Sequence, residues 1–368
     1  MESTNKKSQE SLDVIIAEIP RPIGLSNTPT AARISQVKHL SSYNWIDRRE
    51  PTIVVPGRPA LWTPPRAKQT QLEQDSSTGN INYIDQNAAR LPESPVEPLF
   101  RALYATQPSF DITSVDLVTD RNNLRKLLSF VNPRLGRKRT FSIVAEAVHG
   151  CGTVIFRRVE PTSFFEVGGN SPQSVSAPIN GYGHAFEKAY TTNRVEGSTG
   201  HHRIVSYQFG GLNLVVRYET DGCVGGGSQE EKTLEIKTRM ARKKIGLPEI
   251  LPQLWLAQTR KLVRAYHTDG LFDCPDVEDV ALECKTWEDM HQEDLRRLVE
   301  VVKQVTKVVR AGTNGGRAII KYDDRAADKL LVVEDDGPQL FPDDLYRKFE
   351  RSVRKRRQRQ RQEDEESM

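Results

Sequence analysis

At 368 residues, 37% hydrophobic and 28% charged, the chain is long enough for one large domain or two ordinary ones. That balance excludes both a membrane protein and a wholly disordered chain, and no apolar run approaches the roughly 20 residues that cross a bilayer. A net charge of +4 permits a polyanionic partner without demanding one, so the placement of charge matters more than its sum. Four scattered cysteines (Cys151, Cys223, Cys274, Cys284) with no CxxC pair argue against a disulfide framework or structural zinc and for a reducing compartment. The polar start MESTNKKSQE lacks a signal-peptide core.

Residues 1–41 are polar and irregular and are expected to be disordered. Residues 42–95 hold two tryptophans and a β-like run, Thr52 to Val55, among prolines, followed by a polar stretch. This segment reads as an extended arm laid on the main domain, because exposed tryptophans are costly, with a linker behind it. The catalytic domain is expected over 96–345. It opens with a short helix at LFRALYATQP and a second after Asp120, a candidate N-cap, with Leu124, Leu127 and Leu128 as its apolar stripe. Phe141 to Val148 and Gly152 to Val159 read as paired strands, residues 160–180 as a Ser/Pro/Gly loop, and GYGHAFEKAYT as a glycine-led helical segment. A long amphipathic helix is expected from Trp287 to Ala311, then a strand pair at Arg317 to Tyr322 and Lys329 to Val333. Residues 346–368, strongly basic and then acidic, read as a disordered tail that either binds phosphate backbone, serves as a nuclear address, or merely keeps the chain soluble. Nuclear or nucleocytoplasmic location rests on that tail.

The chemistry is concentrated in residues 203–260. In RIVSYQFGGLNLVVRYETDG, Leu212, Leu214, Val216 and Tyr218 alternate with Asn213, Val215, Arg217 and Glu219, so Glu219 and Asp221 project to one side. In TLEIKT, Leu234 and Ile236 face one way while Glu235 and Lys237 face the other. The segment PEILPQLWLAQTR follows as a helix bearing Gln258. Each triplet alone is an ordinary solvated strand face. Together, on two strands with apolar opposite faces, they supply three carboxylates, a lysine and a glutamine: the ligands of a hard divalent cation with a water to activate. Taken singly, Glu187 reads as an exposed helix glutamate and Arg121 as a partner for Asp120. His201 and His202 diverge if they lie on a strand, which favours a loop.

The order of these motifs resembles the DXO-type RNA decapping nucleases, a divergent branch of the PD-(D/E)xK nuclease superfamily. The residues concerned are Arg121 in TDRNNLRKLL, Glu187 in YGHAFEKAY, Glu219 and Asp221 in YETD, Glu235 and Lys237 in LEIKT, and Gln258 in LWLAQTR. The chain departs from the family pattern in having Tyr218 and Thr220 around Glu219, and Asn122 after Arg121. The resemblance implies an α/β fold with a mixed central sheet flanked by helices, and a metal-dependent hydrolase that acts on RNA 5′ ends by decapping, pyrophosphate removal or 5′→3′ exonuclease action. It implies Mg²⁺ or Mn²⁺, two ions in all, held by Glu187, Glu219, Asp221, Glu235 and the Ile236 carbonyl. Lys237 and Gln258 would hold the water or substrate, and Arg121 a phosphate near the 5′ end. Three alternatives stand beside this reading: a DNA-directed nuclease of the superfamily, a catalytically idle partner of a 5′→3′ exoribonuclease, and a scaffold that binds RNA through its tail.

Overall fold

Alternating apolar residues on either side of Gly210-Gly211 fold into an antiparallel hairpin, strands Ser198–Phe209 and Leu212–Thr220. Both glycines have positive φ (56° and 85°), which this tight turn needs and which other residues adopt at a cost. A side chain at Gly210 would also collide with Val299. The coordinates are a computed structural model and describe residues 13–24, 31–75, 85–136, 140–159, 181–225, 231–312, 316–325 and 328–366.

The hairpin belongs to a ten-stranded mixed sheet. From one edge its order is Ile15–Pro20, Lys329–Glu334, Arg317–Asp323, Thr140–Ala147, Val154–Arg158, Leu117–Asp120, Leu212–Thr220, Ser198–Phe209, Ile34–Ile46 and Thr52–Val54. Leu117–Asp120 runs parallel to both of its neighbours. A second mixed sheet of eight strands is centred on Lys232–Met240, which lies parallel to Lys261–Thr268 and antiparallel to Gly222–Val224. The fold is thus α/β with mixed sheets and flanking helices.

Both faces of the large sheet are buried. Leu214, Val216 and Tyr218 pack in one core with helices Arg121–Val131, Leu247–Ala257, Ala281–Met290 and Gln292–Ala311. Val215, Ile204, Val118 and Val144 point the other way, into a core with helices Glu97–Thr106 and Asp343–Glu366. A smaller core under helix Gly183–Tyr190 joins Phe186 and Tyr190 to Leu234, Ile236 and Phe272 of the second sheet. Among the described residues no helix is long and apolar enough to cross a membrane.

Several expectations are corrected. The stretch taken as disordered, 1–41, contributes Ile15–Pro20 and most of Ile34–Ile46 to the sheet; the polar first half of Ile34–Ile46 is exposed, which is why its composition mimics a loop. The supposed arm at 42–95 is built into both sheets through Ile34–Ile46, Thr52–Val54, Leu61–Trp62 and Gln69–Gln71, with Trp45 buried and Trp62 packed on Phe186 and Tyr190. The long helix is interrupted at His291, giving Ala281–Met290 and Gln292–Ala311. The tail forms helix Asp343–Glu366, rooted by Leu345, Phe349 and Val353. The loop expected at 160–180 lies outside the described residues.

Candidate active site

The large-sheet strand ends at Thr220 and Gly222 begins a strand of the second sheet, so Asp221 is the single residue at the seam. Glu219 therefore approaches from one sheet and Glu235 from the other. One oxygen of Asp221 accepts the Ile236 backbone N–H at 2.7 Å, which ties the seam to the second sheet. Glu235 is buried, 2% exposed, and accepts hydrogen bonds from the Lys237 ammonium and the Gln253 amide. Its other oxygen lies 3.4 Å from the Arg121 guanidinium, which sits 5.6 Å over the Tyr218 ring. Lys237 also donates to the Ile236 carbonyl at 3.2 Å. Glu219 faces the Gln86 amide at 3.4 Å, and Gln86 is anchored by a 2.7 Å bond to the Thr199 carbonyl. Glu187, three residues after His184, joins from helix Gly183–Tyr190 with its side chain 37% exposed.

These carboxylates repel one another. Burial and the Asp221 and Glu219 charges push Glu187 up to about 9, although its partial exposure to water tempers the effect. Burial, with Asp221 next, pushes Glu219 up to about 8. Burial and Glu235 push Asp221 up to about 6. Burial would push Glu235 up as well, but the Lys237 and Arg121 charges outweigh it and hold its carboxyl below the ordinary range. The same pairing holds Lys237 charged against the penalty of burial. Among the described residues no three acidic, histidine or cysteine side chains close into a ready metal cage, since Glu235 is turned onto Lys237, Gln253 and Arg121. The donor chemistry fits a hard divalent cation nonetheless: mutually repelling carboxylate oxygens, partly desolvated, are what such an ion neutralises.

The structure brings Arg121, Glu187, Glu219, Asp221, Glu235, Ile236 and Lys237 together. Gln258 lies apart. It follows helix Leu247–Ala257 in the left-handed conformation (φ 52°), its amide donates to the Trp255 carbonyl at 2.5 Å, and it lines a separate cavity of about 410 Å³ with Arg260 and Glu288. The glutamine of this helix that reaches the carboxylates is Gln253, whose amide oxygen also accepts from Arg125 at 3.0 Å. Arg125 stands four residues after Arg121, the spacing that puts two side chains on one helix face, and this was the available signal for it. Asp120 makes no cap bond. Its carboxylate instead takes both ends of the buried Arg217 guanidinium, at 2.6 and 2.9 Å, across the parallel strand pair. His201 and His202 are on a strand, not in a loop, and both are buried; burial pushes His202 down to about 3.

The fold of two mixed sheets with flanking helices is shared with solved structures of the decapping-nuclease family that the motif order resembles. The structure of S. pombe Rai1 is similar at 12% identity and a TM-score of 0.60, over 87% of this chain and 99% of that one. Candida albicans Rai1 in complex with pU5 and Mn²⁺ matches at 13% and 0.58, over 93% and 99%. K. lactis Dxo1 in complex with manganese matches at 10% and 0.51, over 90% and 97%. At these identities the likeness is one of fold. No curated protein matches the chain by sequence. By sequence the chain belongs to the family DUF8563, described as a domain of unknown function, which matches residues 13–246 and 228–349.

Proposed function

We propose that the protein is a divalent-metal-dependent nuclease of RNA 5′ ends, which hydrolyses a phosphodiester or phosphoanhydride bond to leave a 5′-monophosphate. The observation that carries this reading is the set of mutually repelling carboxylates at the sheet seam, half-buried Glu187, Glu219 and Asp221 around buried Glu235, with a charged lysine among them. The fold shared with Rai1 bound to pU5 and Mn²⁺ supports RNA as substrate and a divalent cation as cofactor.

Glu187, Glu219, Asp221 and Glu235, with the Ile236 carbonyl, would hold one or two Mg²⁺ or Mn²⁺ ions. A cation held by these residues would supply an acidified water and positive charge for the phosphate. Lys237 stays protonated, so it acts as a fixed charge rather than a base and stabilises the non-bridging oxygens as negative charge builds on them. It need only exchange its contact with Glu235 for one with phosphate. Arg121 is held by one long contact at 3.4 Å and a ring face, which leaves its donors available for a terminal phosphate. Gln253, rather than Gln258, positions Glu235, and through its oxygen fixes Arg125 beside Arg121.

The test is to incubate the protein with Mn²⁺ and three end-labelled RNAs, bearing a 5′-triphosphate, an unmethylated cap or a 5′-monophosphate, beside an Asp221→Ala control. Release of pyrophosphate or a cap dinucleotide that the variant loses names the substrate. Cleavage of none of the three, with Mn²⁺ still bound, would sink the RNA 5′-end reading in favour of a DNA nuclease or an idle partner.

A further inference from the structure

A second charged site lies at the other end of the sheet. The single turn Ile112–Ser114 precedes strand Leu117–Asp120, and Arg121 follows it, so the turn and the carboxylate cluster flank opposite ends of one strand. Next to that turn, the C-terminal helix and the end of helix Glu97–Thr106 enclose a groove of about 230 Å³. One wall is cationic: Lys348, Arg351, Lys355 and Arg359 are spaced 3, 4 and 4 apart, so they form a single stripe along about 16 Å of helix. No carboxylate pairs with these four among the described residues, although other cations of the helix, such as Arg354 with Glu350, do find one. The opposite wall is apolar and aromatic, with Tyr104, Pro108 and Phe110.

Two details describe the aromatic wall. Lys348 lies 4.1 Å over the face of Tyr104, which fixes its stem while leaving its charge at the rim. The Tyr104 hydroxyl is buried with no hydrogen-bond partner among the described residues, an orphan of a kind that folded proteins rarely keep. The one acid in the lining, Asp111, is already engaged: it accepts from the Thr113 backbone N–H at 3.0 Å and the Thr113 hydroxyl at 2.7 Å. It forms no ion pair with the four cations of the stripe among the described residues.

A row of unpaired cations facing exposed Pro108 and the half-buried ring of Phe110 is an arrangement that holds an unpaired polynucleotide, with phosphates on the charges and a base against that ring. A duplex would leave the aromatic wall unused. We propose that this groove binds single-stranded RNA at a site separate from the carboxylate cluster. The choice of RNA as the polymer rests on the proposed function; the groove's charge and shape do not.

The experiment is equilibrium binding of a 5′-hydroxyl oligouridylate in EDTA, at several salt concentrations, by the full chain. Triple substitution of Arg351, Lys355 and Arg359 by Ala is compared with the charge-matched triple at Arg354, Arg357 and Arg361, on another face of the helix. All six side chains are exposed, so neither triple removes a core contact. The groove triple should weaken binding at least tenfold and flatten the slope of log K against log salt by about 2, at 0.7 per lost contact to a single strand. Phe110→Ala should cost about tenfold with the slope unchanged. Equal losses in the two triples would reduce the effect to net charge and overturn the groove, as would failure of the wild type to bind. Absence of turnover of all three RNAs by the wild type, with this binding intact, would count against the proposed function and not against the groove.

Discussion

Like charges buried together make the carboxylate cluster costly to fold without a cation. Glu219 shows the sign. The unfolded chain releases this proton near the ordinary 4.5, whereas the folded chain keeps it up to about 8. Between those values the folded state binds more protons, so stability in EDTA should fall as pH rises from about 4.5 to 8. Glu219→Gln should flatten that fall, and melting curves across the range check it. Arg217 makes the opposite case. Its guanidinium is 1% exposed and paired with Asp120, so Arg217→Leu strands a carboxylate and should cost about 3–5 kcal/mol in a urea titration. Strand alternation is enough to place Glu219, Asp221, Glu235 and Lys237, because it fixes which side chains share a face. It cannot place Gln253 or Arg217, since one depends on how a helix rolls against Glu235 and the other on a cross-strand partner nearly a hundred residues away.

At the scale of elements, the C-terminal helix is held by few side chains. Phe349 meets Phe100, Phe341 and Tyr346 edge-on at 5.0, 5.6 and 6.2 Å, and beyond Val353 the helix is solvent-exposed. Phe349→Ala should destabilise by about 3–5 kcal/mol in chemical denaturation and release the helix, seen as lost amide protection over 343–353. A segment this basic is not legible as a helix, because its composition matches a solvated tail and only three apolar residues at helical spacing mark the docked face. The strand Ile34–Ile46 was hidden for a related reason: half of it carries polar side chains into water, and its partner Ser198–Phe209 supplies the ordering that propensity does not. The interior helices, with Leu295, Leu298, Val302 and Val305 in register, are legible because burial and periodicity coincide there.

For the molecule as a whole, the edge strand Ile15–Pro20 closes the large sheet over Lys329–Glu334, with Glu18 on Lys329 and Asp13 on Lys321, both at 2.6 Å. Removing residues 1–24 uncovers a long edge, so the truncated protein should melt lower and associate with rising concentration, as size-exclusion chromatography reads. The fold is shared with solved structures even where sequence identity to them is 10–13%.

The seam at Asp221 has a thermal consequence. Carboxylates on its two sides belong to different sheets, so an ion held between them would act as a rivet, and neither half could melt without expelling it. Calorimetry should then record a broad endotherm in EDTA, with a van't Hoff enthalpy below the calorimetric one. With Mn²⁺ it should record a single sharp endotherm at higher temperature, the two enthalpies converging. An unchanged endotherm would mean that the ion does not span the sheets.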